Sequence, residues 1–222
     1  MNNVNIPKKQ YHHGNLREAL IKAGLRAVAE DGPEGFSLRG VATRAGVTPP
    51  AVYRHFADKD ELLAAIAAEC NERLSTVVAA SLERASGEDA LARFRQVGIA
   101  YVQFAVANPE HFRALTMPGV LAKIPDDQRA QMEAWHAEQK RGLEAAQRAG
   151  VIADMPIEEL MLAANALVHG LAHLIVEGQL GPVDEARARD LAIAVTGAFG
   201  SGLIPRATAP PDPLRASTKR KR

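Results

Sequence analysis

The chain has 222 residues, 47% hydrophobic and 24% charged, with 27 Lys/Arg against 26 Asp/Glu, a balance that fits globular units with a core and excludes a disordered or collagen-like chain. A single cysteine, Cys70, excludes an intramolecular disulfide and agrees with a reducing compartment. The first fifteen residues hold no apolar segment of signal-peptide length, and no run approaches the roughly 20 apolar residues of a membrane span, so a cytoplasmic protein without a membrane partner is expected.

Few aromatics, abundant Ala and Leu and the absence of Val/Ile/Thr alternation predict an all-α chain. Asn15 and Glu18 have capping-box spacing, launching a helix from Leu16 to about Asp31 with Leu16, Leu20, Ala23, Ala27 and Val28 as its buried stripe. Gly32-Pro33 then breaks it. Ser37 caps a short helix over Leu38, Val41 and Ala42 that stops at Gly46. Thr48 caps a third, with Pro49 at its first position. Asp58 and Glu61 start a long fourth through Leu62, Leu63 and Ile66, past Leu74. Further helices are expected over 88–106, 110–116, 126–147, 156–177 and 184–199, about nine in all. From Pro205 the chain is proline-rich and basic and reads as a disordered tail, so the boundaries fall at 1–60, 61–204 and 205–222.

Charge is unevenly spread along this layout. Residues 1–57 hold 8 Lys/Arg against 4 Asp/Glu, residues 58–205 hold 13 against 21, and residues 206–222 hold 6 against 1. Basic ends around an acidic middle suit a polyanion at the ends, although chance clustering on a solvated surface gives the same counts.

Residues 37–63, SLRGVATRAGVTPPAVYRHFADKDELL, place two short helices around Gly46-Val47, the layout of a helix-turn-helix whose second helix enters the major groove. Leu38, Val41, Ala42, Val47, Val52 and Phe56 make a small shared core. Arg39, Arg44, Thr48, Ala51, Tyr53, Arg54 and His55 are left facing outward, with Arg54 also in reach of Asp58. Pro50 sits beside Thr48, where a compact apolar ring suits a thymine methyl.

This stretch, with the pattern AGV-T-x-x-x-V-Y-R-H-F-x-x-K-x-x-L, resembles the tetracycline-repressor-like (TetR) family of bacterial regulators over residues 11–63. The resemblance implies that Thr48, Pro49, Pro50 and Ala51 lie nearest the base edges and that Tyr53 and His55 reach phosphates. It also puts Lys59 beside a phosphate at the positive end of the fourth helix and Arg39 at the groove or backbone. Many members carry glycine or alanine where Pro50 stands here. The family further implies a homodimer on a palindromic operator, double-stranded DNA as partner, and a small-molecule effector held in the carboxy-terminal body. The segments 101–119 and 166–180 and the region of Trp135 resemble the subgroup with a WHG carboxy-terminal domain.

For an effector cavity, Tyr101, Phe104, Phe112, Leu115, Met117, Trp135, Met161 and Leu162 offer apolar walls, and Gln139, Asn165, His169 and His173 offer polar groups. The last three recur every fourth residue, on one helical face. A ligand, a neighbouring side chain or a buried water would each satisfy them, and ordinary core packing accounts equally for Phe112 and Trp135. His169 and His173 have the spacing of two metal ligands, but no third is evident, so neither a metal nor a cofactor is expected. Leu167, Leu171 and Leu174, with Ala192, Val195, Ala198 and Phe199, offer a dimer interface or intrachain core, which periodicity does not separate. No nucleophile elbow, phosphate loop or catalytic carboxylate pair is present, and an enzyme is not expected.

Overall fold

Short polar side chains set the helix starts. Ser37 Oγ accepts the Gly40 N–H at 3.1 Å and opens α2 (Leu38–Ala45). Asp58 Oδ1 accepts the Glu61 N–H at 2.8 Å and opens α4 (Lys59–Arg84), while Glu61 Oε2 reaches back to the Ala57 N–H at 2.6 Å. Asp89 does the same for Ala92 at the start of α5 (Ala90–Ala107). A computed structural model describes residues 16–203, which form ten helices joined by turns and loops, with no strand among them. The Asn15 cap and the basic tail from 205 onward lie outside the described residues.

The remaining elements are α1 (Leu16–Gly35), α3 (Pro49–Tyr53), α6 (Pro109–Leu115), α7 (Pro118–Leu121), α8 (Asp126–Arg148), α9 (Ile157–Val176) and α10 (Glu185–Leu203). Several differ from expectation. α1 resumes for a turn beyond its break, because Gly32 (φ 76°) changes the chain direction and Pro33 restarts a helix, where it loses nothing. Thr48 has cap geometry without a side-chain cap bond. α7 is a tenth helix, too short to show a stripe. Pro156 stands just before α9 rather than within it, and α10 runs on to Leu203.

One apolar cluster runs from Leu20, Val28, Val41, Val52 and Phe56 through Leu62 and Ile66 to Phe104, Phe112 and Val120. A second joins α5, α9 and α10 through Ile99, Val102, Val168, Leu171 and Ala192. A third closes the far end through Leu143, Ile152, Leu160 and Leu203. Gly98 permits the close α5–α9 approach, since a Cβ there would stand 2.9 Å from Val168 Cγ1.

α9 qualifies the reading that no run approaches a membrane span, for by length and composition it is apolar enough to cross one, with an 18-residue window of mean hydropathy 1.5. Here it is a bundle helix, packed on α5, α8 and α10, and its opposite face leaves Leu162 69% exposed.

Candidate functional site

Gly46 adopts a left-handed conformation (φ 70°, ψ 30°) that turns the chain from α2 into α3. Val41, Val52 and Phe56 are fully buried beneath the turn and fix α3 against α2. The opposite surface presents Arg39, Thr48, Pro49, Pro50, Tyr53 and Arg54 to solvent, with Ala51 and His55 half-buried beside them. Tyr53 is 52% exposed, an unusual placement for an aromatic ring whose neighbour Val52 is fully covered. Arg44 is exposed but engaged, bridging Glu30 at 2.6 Å and Asp31 at 3.3 Å on α1, and those carboxylates raise its pKa. The Asp58 carboxylate caps α4 through Oδ1, and no ion pair joins it to Arg54 among the described residues.

Lys59 is the first residue of α4, as expected, but its ammonium also has an intramolecular role. It donates to the Glu34 carbonyl at 2.8 Å and lies 5.0 Å from the centroid of the Phe36 ring. It therefore ties the last turn of α1 to the first of α4, with the free N–H groups of that helix beside it.

The candidate effector residues do not form one group. Tyr101 Oη and His169 Nδ1 are 2.9 Å apart, and Phe112 packs edge-on against both Tyr101 (6.0 Å) and His173 (4.9 Å). Burial pushes the Tyr101 pKa up, and burial with the neighbouring His173 pushes that of His169 down. At neutral pH the pair is thus an uncharged hydrogen-bonding couple at the edge of an apolar core. Phe104, Phe112 and Leu115 are buried in the first cluster, with Met117 packed against it. Trp135 is half-buried on α8 and meets the His136 ring at 5.1 Å, and Asn165 is exposed on α9. Gln139 lies elsewhere, in an open cleft of about 470 Å³ lined with Ala90, Arg93, Glu138, Arg141 and Gly142.

Of the candidate dimer residues, Leu171 is 7% exposed and sits in the chain's own second cluster. Val195 and Phe199 are half-buried against the second and third clusters. Leu167 is half-buried, and Leu174 and Ala198 are exposed.

Sequence reasoning missed Arg93 and Arg141, which periodicity marks only as surface positions. It also missed the contacts that join the body to the helix-turn-helix. Lys123 Nζ lies 2.8 Å from the Asp60 carboxylate, Arg26 Nε lies 3.6 Å from Glu110, and a Cβ on Gly119 would stand 3.1 Å from Pro33. These pairs are far apart along the chain, and no local pattern announces them.

Residues 20–66 match the family model described as "Bacterial regulatory proteins, tetR family", and residues 94–197 match "Tetracyclin repressor-like, C-terminal domain". The chain is 43% identical over 58 residues to the HTH-type nicotine-responsive transcriptional repressor HdnoR of Paenarthrobacter nicotinovorans, covering 26% of this chain and 30% of that one. It is 45% identical over 51 residues to the tetracycline repressor protein class C of Escherichia coli, covering 23% of each. These matches thus span less than a third of either relative's length. Among solved structures, a TetR family transcription regulator from Marinobacter aquaeolei VT8 has a TM-score of 0.69 at 20% identity, covering 87% of this chain and 97% of that one. A protein of unknown function from Rhodococcus sp. RHA1 has a TM-score of 0.65 at 31% identity, covering 89% of this chain and 100% of its own.

Proposed function

The chain belongs to the tetracycline-repressor family of DNA-binding bacterial transcription regulators, and from that premise we propose a homodimeric repressor that holds a palindromic operator until a small molecule enters its body. The observation that carries this reading is the exposed ring of Arg39, Thr48, Pro50 and Tyr53 around a short helix anchored from below by Val52 and Phe56. Thr48, Pro49, Pro50 and Ala51 meet base edges. Arg39, Tyr53, Arg54, His55 and Lys59 meet the backbone, which fixes register and supplies the salt-dependent share of affinity.

One such unit neutralises too few phosphates for a stable complex, and a two-fold dimer doubles the footprint. The apolar face of α9 supports a second copy as the missing cover, because Leu162 (69%), Leu174 (39%), Ala163, Ala166 and Gly170 all lie open beside the exposed Ala194 and Ala198 of α10. The Tyr101–His169 pair, with Phe112 and His173 around it, is the part of the body best suited to sense an effector, offering neutral hydrogen bonding in an apolar wall. The names of the two relatives, one nicotine-responsive and one the tetracycline repressor, favour a small molecule in that role. α6 carries Phe112 to the pair and Glu110 to Arg26 on α1, so an effector that prefers a shifted α6 also selects a shifted head. No catalytic step belongs to this reading, and its place of action is the cytoplasm, where the operator is.

Selection from random duplex DNA tests the proposal. A palindrome with half-sites spaced by about one helical turn, or a multiple of it, is expected. Recovery of a single asymmetric half-site bound by a monomer refutes the dimer. An effector that binds beside Tyr101 and His169 yet leaves operator affinity unchanged refutes the release mechanism.

A further inference from the structure

The cleft between the start of α5 and the middle of α8 is separate from the Tyr101–His169 pair, lying more than two helical turns toward the amino end of α5. Ala90 and Gly142 meet in its lining, the Ala90 Cβ standing 3.5 Å from where a Cβ on Gly142 would be. Arg93 comes from α5, and Glu138, Gln139 and Arg141 come from α8. Neither arginine has an acidic partner among the described residues, although Arg93 is half-buried and α8 is rich in carboxylates.

Gln139 is the unusual member. It is 9% exposed, lines the cleft, and has no hydrogen-bond partner among the described residues. Its side chain has given up most contact with water, and the accessible remainder opens into the cleft. No buried side-chain polar atom among the described residues lacks a partner, so the Gln139 carboxamide keeps its polar atoms open to the cleft, where an occupant can reach them.

We propose that this cleft binds a small organic monoanion, its carboxylate held by Arg93 and Arg141 and a second polar atom bonded to Gln139. Two guanidinium groups and the Glu138 carboxylate leave the lining with one net positive charge, which matches one negative charge and disfavours two. A volume near 470 Å³ lies within the range of about 300–1,000 Å³ usual for small-molecule sites. Such a site stands apart from the regulator reading, and binding at the cleft alone decides it.

Calorimetric titration of the full chain at low salt with four ligands sharing one ring tests it: benzoate, phenyl phosphate, benzamide and benzylammonium. Benzoate is expected to bind best, with benzamide and benzylammonium weaker by about tenfold or more, since they forgo the charge-assisted bonds. Arg93→Gln and the more exposed Arg141→Gln should each weaken benzoate about tenfold without changing the melting temperature, and Gln139→Leu should weaken it less. Equal binding of benzamide and benzoate, or unchanged benzoate affinity in both folded arginine variants, overturns the site. Phenyl phosphate binding more tightly than benzoate overturns the single-charge assignment. Absence of any binding rules the site out altogether. Operator affinity is a separate readout and bears only on the regulator reading.

Discussion

The Lys59 ammonium donates to the Glu34 carbonyl at 2.8 Å, so the residue expected to face a phosphate is also a clasp between the first and fourth helices. Its charge is only partly satisfied by a carbonyl and an aromatic face, which leaves it able to attract a phosphate. Lys59→Met should lower operator affinity about uniformly across sequences and reduce the salt slope by about one. Fluorescence anisotropy between 50 and 200 mM salt, roughly the range over which such slopes are read, checks it; an unchanged slope removes Lys59 from the DNA interface.

Tyr53 and Phe56 separate binding from folding within one turn of chain. Tyr53 is 52% exposed and Phe56 1%. Tyr53→Phe should leave the urea midpoint unaltered while costing about 1 kcal/mol of operator binding, the worth of one hydroxyl bond. Phe56→Ala should cost about 3–5 kcal/mol of stability. A stability loss in Tyr53→Phe of that size would make its hydroxyl structural.

Leu162→Glu addresses the open face of α9. At 69% exposure the change should shift single-chain stability by no more than about 0.5 kcal/mol. In a dimer it buries two carboxylates against each other, so sedimentation should show monomers, with operator affinity falling alongside. A variant that sediments as a dimer of normal affinity places the interface elsewhere.

Burial, with help from the Arg73 guanidinium, holds the His111 pKa down at about 4, below its ordinary 6.5. Above about 6.5 the ring is neutral in both folded and unfolded chains and contributes nothing. As pH falls from 6.5 to 4 the unfolded chain takes up the proton first, so stability declines across that window. His111→Gln should flatten part of this decline between pH 6.5 and 4 in urea titrations and change nothing at pH 8. A wild-type profile identical to that of the variant would refute the assignment.

Caps and glycines made the helices readable, because their signals are local: Ser37 and Asp58 satisfy N–H groups three residues on, and Gly46 takes a conformation that side chains resist. The exposed surface of α3 was legible for the same reason, since five residues admit few ways to bury Val52. α7 escaped because four residues beginning at a proline carry no period. The effector set was only partly legible. His169 and His173 were placed together because both reach toward elements that hold Tyr101 and Phe112, but Gln139 faces a different helix end. Helical spacing tells which residues share a face and not what stands opposite it. The clasp from Lys59 to Glu34 spans 25 residues, and no spacing rule joins them.

The apolar cluster that begins at Leu20 and Val28 does not stop where the DNA reader stops; it continues through Leu62 and Ile66 into Phe104 and Phe112. A severed reader would therefore expose the wall on which it is built, and a severed body would lose part of its lining. The two are therefore expected to melt together, and a single calorimetric transition, against two separate ones, checks it. Damage anywhere along that shared wall registers at the operator, and a regulator assembled this way has no inert half.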